Sequence, residues 1–174
     1  MSGDEQVRPD PGLALLALYD DALPEVYGYL LARCSRKTLA EDLTAEVFLA
    51  AVTACRRPGV EPTVGWLIGI ARHKLADHWR ALAREARHLE AVAGGPEAED
   101  PWDAELDALL AREVLAAQSP LHRAALTLRY LDDLPVGEIA GLLGRSEPAT
   151  ESVLARARSA FRHSYERHSG GGPA

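Results

Sequence analysis

The chain has 174 residues, with 19 Lys and Arg against 26 Asp and Glu, for a formal net charge of −7. That length suits one ordinary domain or two small ones, and the charge excludes a uniformly basic coat for nucleic acid but not a basic stripe within an acidic whole. Apolar residues make up 47% of the chain, enough for a packed core and too many for a disordered polymer. No apolar run approaches the roughly 18–20 residues that span a bilayer. The opening MSGDEQVRPDPG has no basic start followed by an apolar stretch, so no secretory signal is expected. Cys34 and Cys55 have neither the spacing of a zinc site nor a disulfide framework around them. A reduced cytoplasmic protein with no cofactor, no metal and no membrane insertion is expected.

Strand signals are nearly absent, while Ala and Leu recur at spacings of three and four, so the fold class is all-α. Residues 1–12 are expected to be disordered. A first helical stretch runs from about Leu13 to Arg33, with Pro24 marking a break or the first turn of a second helix. Thr38 and Glu41 have the spacing of a capping box opening a helix that reaches about Cys55. The breaker-rich loop Arg56–Pro62 follows, then a long helix from about Thr63 to Glu90. From Ala93 to Asp107 the chain carries six carboxylates, no basic residue and a Gly-Gly-Pro head. This composition reads as a linker, drawn at 91–101, between helical domains at 13–90 and 102–167. In the second domain a helix runs from about Trp102 to Ala117, and another starts at Ser119-Pro120 and ends near Leu131. A short helix from Pro135 to Leu143, a turn at Gly144-Arg145 and a last helix from Ser146 to about Arg167 complete it. The tail, 168–174, is expected to be disordered.

Three surfaces carry chemistry. Ala140, Gly144 and Val153 have the spacing of a helix-turn-helix, with a small residue at the crossing, a permissive turn and an apolar wedge. Thr150, Leu154, Ala157, Phe161 and Tyr165 make the expected buried stripe of the last helix, and Glu151, Ala155, Arg158 and Arg162 the opposite face, flanked by Ser152 and Arg156. Residues 145–168 hold five Arg against three Glu, a local excess of two positive charges in an acidic protein. A plain helical hairpin with a solvated face would show the same pattern. On the helix from Thr38, Asp42 and Glu46 are like charges one turn apart, which costs about 0.2–0.5 kcal/mol unless a cation compensates. Leu43, Val47, Phe48, Leu49 and Val52 form an apolar band wider than one core face needs. Such a ridge suits a partner bearing arginines; alternatively, Phe48 and Leu49 are core and the carboxylates simply face water. On the long helix Val64, Ile68, Ala71, Leu75, Trp79 and Leu82 form a core stripe, and His73, Asp77, Arg80, Arg84 and Arg87 lie roughly opposite, flanked by Arg72 and Lys74. A basic row with Trp66 and Trp79 on the same helix can contact phosphates and stack on bases; the plain alternative is a charged outer face. Neither a phosphate-binding glycine loop, a nucleophile elbow nor metal-ligand spacing is found, so no enzyme is expected.

AEDLTAEVF (40–48) followed by GWLIGIARHKLADHWRALAREAR (65–87) resembles region 2 of bacterial RNA polymerase sigma factors of the extracytoplasmic-function type. LRYLDDLPVGEIAGLLGRSEPATESVLARARSAFR (128–162) is similar to their region 4. The resemblance implies a protein that binds core RNA polymerase and directs promoter recognition, DNA melting and transcription initiation. It implies docking on the clamp helices of the largest subunit through Asp42, Leu43, Glu46, Val47 and Phe48. It implies −10 element contacts by Lys74, Asp77, Arg80 and Arg84, with the Arg57–Pro62 loop capturing a flipped base; Trp79 lies in the matching block but falls on the core stripe and is structural. In region 4 it implies −35 element contacts by Arg145, Ser146, Glu151, Ser152, Ala155, Arg158 and Arg162, with the unit also touching the flap of the second-largest subunit. A separate anti-sigma protein is implied as regulator. The chain departs from the family where the recognition helix usually reads threonine-valine-lysine-serine-arginine. It has Ala149-Thr150-Glu151-Ser152-Val153, replacing two basic residues and placing a carboxylate toward the groove. The alternatives are a stand-alone helix-turn-helix regulator, which would not need the AEDLTAEVF block, and a helical module that sequesters another factor.

Overall fold

A computed structural model describes residues 10–34, 36–57, 59–89 and 107–169, and of 87–89 only the backbone. Every regular element among them is helical: α1 (Pro11–Leu31), α2 (Lys37–Cys55), α3 (Val64–Leu89), α4 (Ala108–Ala117), α5 (Pro120–Leu126), a π-helical turn (Thr127–Leu131), α6 (Val136–Leu143) and α7 (Glu147–Ser169). None of these helices is long and apolar enough to cross a membrane.

The ends of the helices follow local chemistry. Asp10 starts α1 by accepting from the Gly12 N–H at 2.7 Å, with Pro11 at the first position, so order begins earlier than expected. Pro24 does not break α1. Its ring is exposed, and Leu15, Ala22, Val26 and Leu30 bury one continuous face across it, offsetting the roughly 3 kcal/mol that an interior proline costs. The capping box at Thr38 is not formed. The helix begins at Lys37 with Arg36 at the N-cap and no side-chain cap, and Glu41 turns instead to Lys37, 3.6 Å away. Asp107 caps α4 by accepting from the N–H groups of Leu109 and Leu110 at 3.0 and 2.8 Å. Its extended backbone stops that helix from running back to Trp102, and residues 102–106 lie outside the described residues, as do 1–9 and 170–174. The last helix runs to Ser169, two residues past the expected end.

Two compact units are present, Met1–Leu75 and Ala76–Ala174. Their division falls inside α3, an uninterrupted helix with buried residues on both sides of Leu75, whereas the acidic segment 91–101 lies outside the described residues. In the first unit α1 packs along α2, with Tyr19 edge-on to Phe48 at 5.0 Å between ring centroids. In the second, α4, α5 and α6 each pack on α7. Val114, Leu126, Ala157 and Phe161 form a core that Leu110, Ala111, Leu115 and Tyr165 flank. The Tyr165 hydroxyl accepts from the Asp107 N–H at 2.8 Å, tying the start of α4 to the far end of α7.

Candidate functional site

The α2 surface is built over a buried row of Ala40, Leu43, Thr44, Val47, Ala51 and Cys55, which repeats every three or four residues. Thr44 fits that row because its hydroxyl donates to the Ala40 carbonyl at 2.6 Å. Leu43 and Val47, expected on the docking surface, are 4% and 0% exposed. They are a correction: both form the floor under the surface and cannot meet a partner. Asp42 and Glu46 are exposed, and Phe48 is half-buried against Tyr19. The apolar residues that do reach solvent are Leu49 and Val52, at 67% and 50% exposure. Leu49 stands two helical turns beyond Asp42, and that seven-residue spacing is the signal that places both on one face. Across from them, Lys74 Nζ lies 3.2 Å from Glu46 Oε2. The like-charged pair on α2 therefore has its compensating cation on α3.

On α3 the buried row is Leu67, Ala71, Leu75, Ala76, Trp79 and Ala83, while Val64, Ile68 and Leu82 are half-buried. The stripe is thus turned from the expected one. Consecutive apolar residues such as Leu67 and Ile68 lie about 100° apart on a helix, and composition does not rank them. Trp79 is core, as its place on the expected stripe required. Trp66, His73, Asp77, Arg80 and Arg84 share the outward row, with Trp66 and Arg80 half-buried and the other three exposed. Asp77 and Arg80 are ion-paired one turn apart. Lys74 sits at the edge of the row toward α2, so it is not grouped with the arginines. Arg57 is exposed in the preceding loop, where Gly59 takes a left-handed φ of 87°. Pro58 and the side chain of Arg87 lie outside the described residues.

The helix-turn-helix forms from α6 and α7. Gly144 adopts φ 62° and ψ 44°, which lets the Arg145 N–H reach back to the Ala140 carbonyl at 2.9 Å and close the end of α6. Ser146 opens α7 by accepting from the Ala149 N–H at 3.4 Å. Thr150, Val153, Leu154, Ala157 and Phe161 are buried, and the Thr150 hydroxyl is satisfied by the Ser146 carbonyl at 3.0 Å. Ser146, Glu151, Ser152 and Arg156 are exposed, while Arg145, Ala155, Arg158, Arg162 and Tyr165 are half-buried. The polar members form a continuous outward strip along α7. Val153 is 1% exposed. Its side chain belongs to the core beneath the recognition surface, so of the two departures from the family pattern only Glu151 alters the surface itself.

Residues 18–85 match the family described as Sigma-70 region 2, and residues 109–161 match Sigma-70, region 4. The chain is 34% identical over 150 residues to the ECF RNA polymerase sigma factor BldN of Streptomyces coelicolor, with 80% of this chain and 56% of that protein covered. It is 30% identical to SigM of Bacillus subtilis, covering 86% of this chain and 94% of that one. It is 32% identical to SigL of Mycobacterium tuberculosis H37Rv, covering 84% and 85%. The chain belongs to the extracytoplasmic-function sigma factors and is a transcription factor, not an enzyme. Its fold resembles the sigma factor RpoE of Bartonella quintana in a complex with the anti-sigma factor NepR, with a TM-score of 0.52, 22% identity, and coverage of 87% of this chain and 94% of that one.

Proposed function

We propose that this sigma factor, acting in the cytoplasm, carries core RNA polymerase to a set of promoters through three surfaces used in sequence. Asp42 and Glu46, with Leu49, Val52 and Phe48, dock on the clamp helices of the largest subunit. Apolar side chains supply area and the carboxylates supply complementarity to a basic partner. The outward row of α3 (Asp77, Arg80, Arg84 and Trp66), with Lys74 at its edge and Arg57 in the preceding loop, engages the −10 element. Arginines neutralise phosphates there, and the half-buried Trp66 ring can offer its solvent-facing part to an unpaired base. The α6–α7 unit places Arg145, Ser146, Glu151, Ser152, Ala155, Arg158 and Arg162 along the −35 major groove and meets the flap of the second-largest subunit. The domain division at 13–90 and 102–167 follows the same assignment, and a separate anti-sigma protein is the fitting regulator.

The observation that carries this reading is an exposed acidic and apolar face on α2 in the same chain as a complete helix-turn-helix. A stand-alone DNA-binding regulator has no use for the first. Run-off transcription with purified core polymerase on a genomic promoter library tests it. The expected result is initiation at a discrete promoter set only when the chain is added. Tight, sequence-specific duplex binding without core would favour a stand-alone regulator, and core binding that never yields transcripts would favour a sequestering module.

A further inference from the structure

The ion pair between Lys74 and Glu46 joins two residues that the proposed function assigns to different partners. Glu46 stands on the α2 face offered to polymerase, and Lys74 on the edge of the α3 row offered to DNA. Their side chains meet at 3.2 Å and remain 53% and 34% exposed respectively, so both are reachable from solvent and each can be taken by a competitor. Asp42, the other carboxylate of the ridge, is exposed, and Asp77 pairs with Arg80 instead. We infer that the Lys74–Glu46 pair is an exchange latch. In the free factor the two charges neutralise each other. When a basic group of the polymerase takes Glu46, Lys74 is released to a DNA phosphate. The inference rests on the proposed assignment of the two faces.

The physical consequence is a coupling between polymerase binding and DNA binding with no change of fold. A cation that must leave Glu46 before polymerase can use it weakens docking, and a carboxylate beside Lys74 weakens its attraction to phosphate. Because coupling free energies are reciprocal, removing either member helps the other's partner. Exposed ion pairs set the scale, and the expected effect is about two- to fivefold in affinity.

A double-mutant cycle on the full chain tests the latch, reading affinity for core polymerase by fluorescence anisotropy without DNA. Glu46→Gln should weaken docking. Lys74→Ala should tighten it about two- to fivefold, and should have no effect in the Glu46→Gln background, which separates the pair from a general change in net charge. Lys74→Ala that tightens docking equally in both backgrounds, or not at all, overturns the latch. In a second arm, polymerase assembled with the Lys74→Ala variant is titrated with fork-junction −10 DNA at several salt concentrations. Weaker binding with a salt slope shallower by about 0.7–0.9 is expected. Unchanged DNA affinity would overturn the proposal by removing Lys74 from the DNA surface. An unchanged affinity of Glu46→Gln for polymerase would remove the polymerase assignment itself. Thermal denaturation of each variant by circular dichroism should nearly coincide with the parent, as a solvent-accessible ion pair contributes at most about 1 kcal/mol.

Discussion

α2 and α7 are built on the same plan and offer opposite surfaces. Each buries one row of residues at spacings of three and four. Above that row α2 exposes Leu49 and Val52 beside two carboxylates, whereas none of the large exposed hydrophobic residues lies on α7. The outward strip of α7 is Glu151, Ser152, Ala155, Arg158 and Arg162. Apolar area next to charge fits a protein partner, because desolvation of the leucine and valine contributes affinity and the charges set orientation. A polar strip of mixed hydrogen-bonding groups and arginines fits a groove with phosphates on both rims. The scaffold is shared, and the few side chains that reach solvent decide the partner.

The largest effects should come from breaking the scaffold under one surface while leaving the other. Leu43→Ala opens a cavity under the α2 face and should cost about 2–5 kcal/mol, measured by urea denaturation followed by fluorescence. A cost under about 0.5 kcal/mol would return Leu43 to the surface. Next comes charge reversal on the same face. Asp42→Lys with Glu46→Lys should weaken binding to core polymerase at least a hundredfold, equivalent to about 2.7 kcal/mol, while stability moves by less than about 0.5 kcal/mol. Retained affinity in an anisotropy titration would leave the ridge as a solvated face.

The DNA-facing rows sharpen the contrast further. Arg80→Ala with Arg84→Ala should reduce promoter melting in permanganate footprinting and lower the salt slope of DNA binding by roughly 0.7–0.9 per lost phosphate contact. Normal melting would reduce these arginines to a hydrated outer row. At the start of α7, Glu151→Ala should relax preference at one −35 position by about 1–3 kcal/mol, because a carboxylate in the groove can accept from the amino group of cytosine. Glu151→Lys should instead strengthen binding to most sequences together if the native carboxylate only repels phosphate. Transcription from promoters randomised across the −35 region separates the two, and a flat preference in the parent protein would defeat base reading.

Much of this was legible in the amino-acid sequence, for reasons that differ by element. The turn at Gly144 and the cap at Ser146 are local chemistry, set by left-handed backbone and by a hydroxyl beside free N–H groups, so spacing alone located them. The capping box at Thr38 followed the same logic and failed, since a start at Lys37 gives Glu41 a cationic partner one turn away. Pro24 reads as a break in any local scheme. It is tolerated because α1 buries residues both before and after it, from Leu15 and Ala22 to Val26 and Leu30, which no local rule contains.

The sequence by itself determined the helical class, the helix-turn-helix and the acidic ridge, because periodicity, turn residues and charge are properties of neighbours along the chain; the family was legible in the resemblance of the blocks at 40–48, 65–87 and 128–162. The tertiary structure decided which apolar residues of α2 are floor and which are surface, placing Leu43 and Val47 inside and Leu49 and Val52 outside. It buries Val153, as the wedge of the helix-turn-helix requires, and it decided that Lys74 answers Glu46 across two helices. Each of these depends on the rotation of one helix against another. Adjacent residues differ by about 100° around a helix, so a small rotation exchanges core for surface without altering the pattern from which it is read.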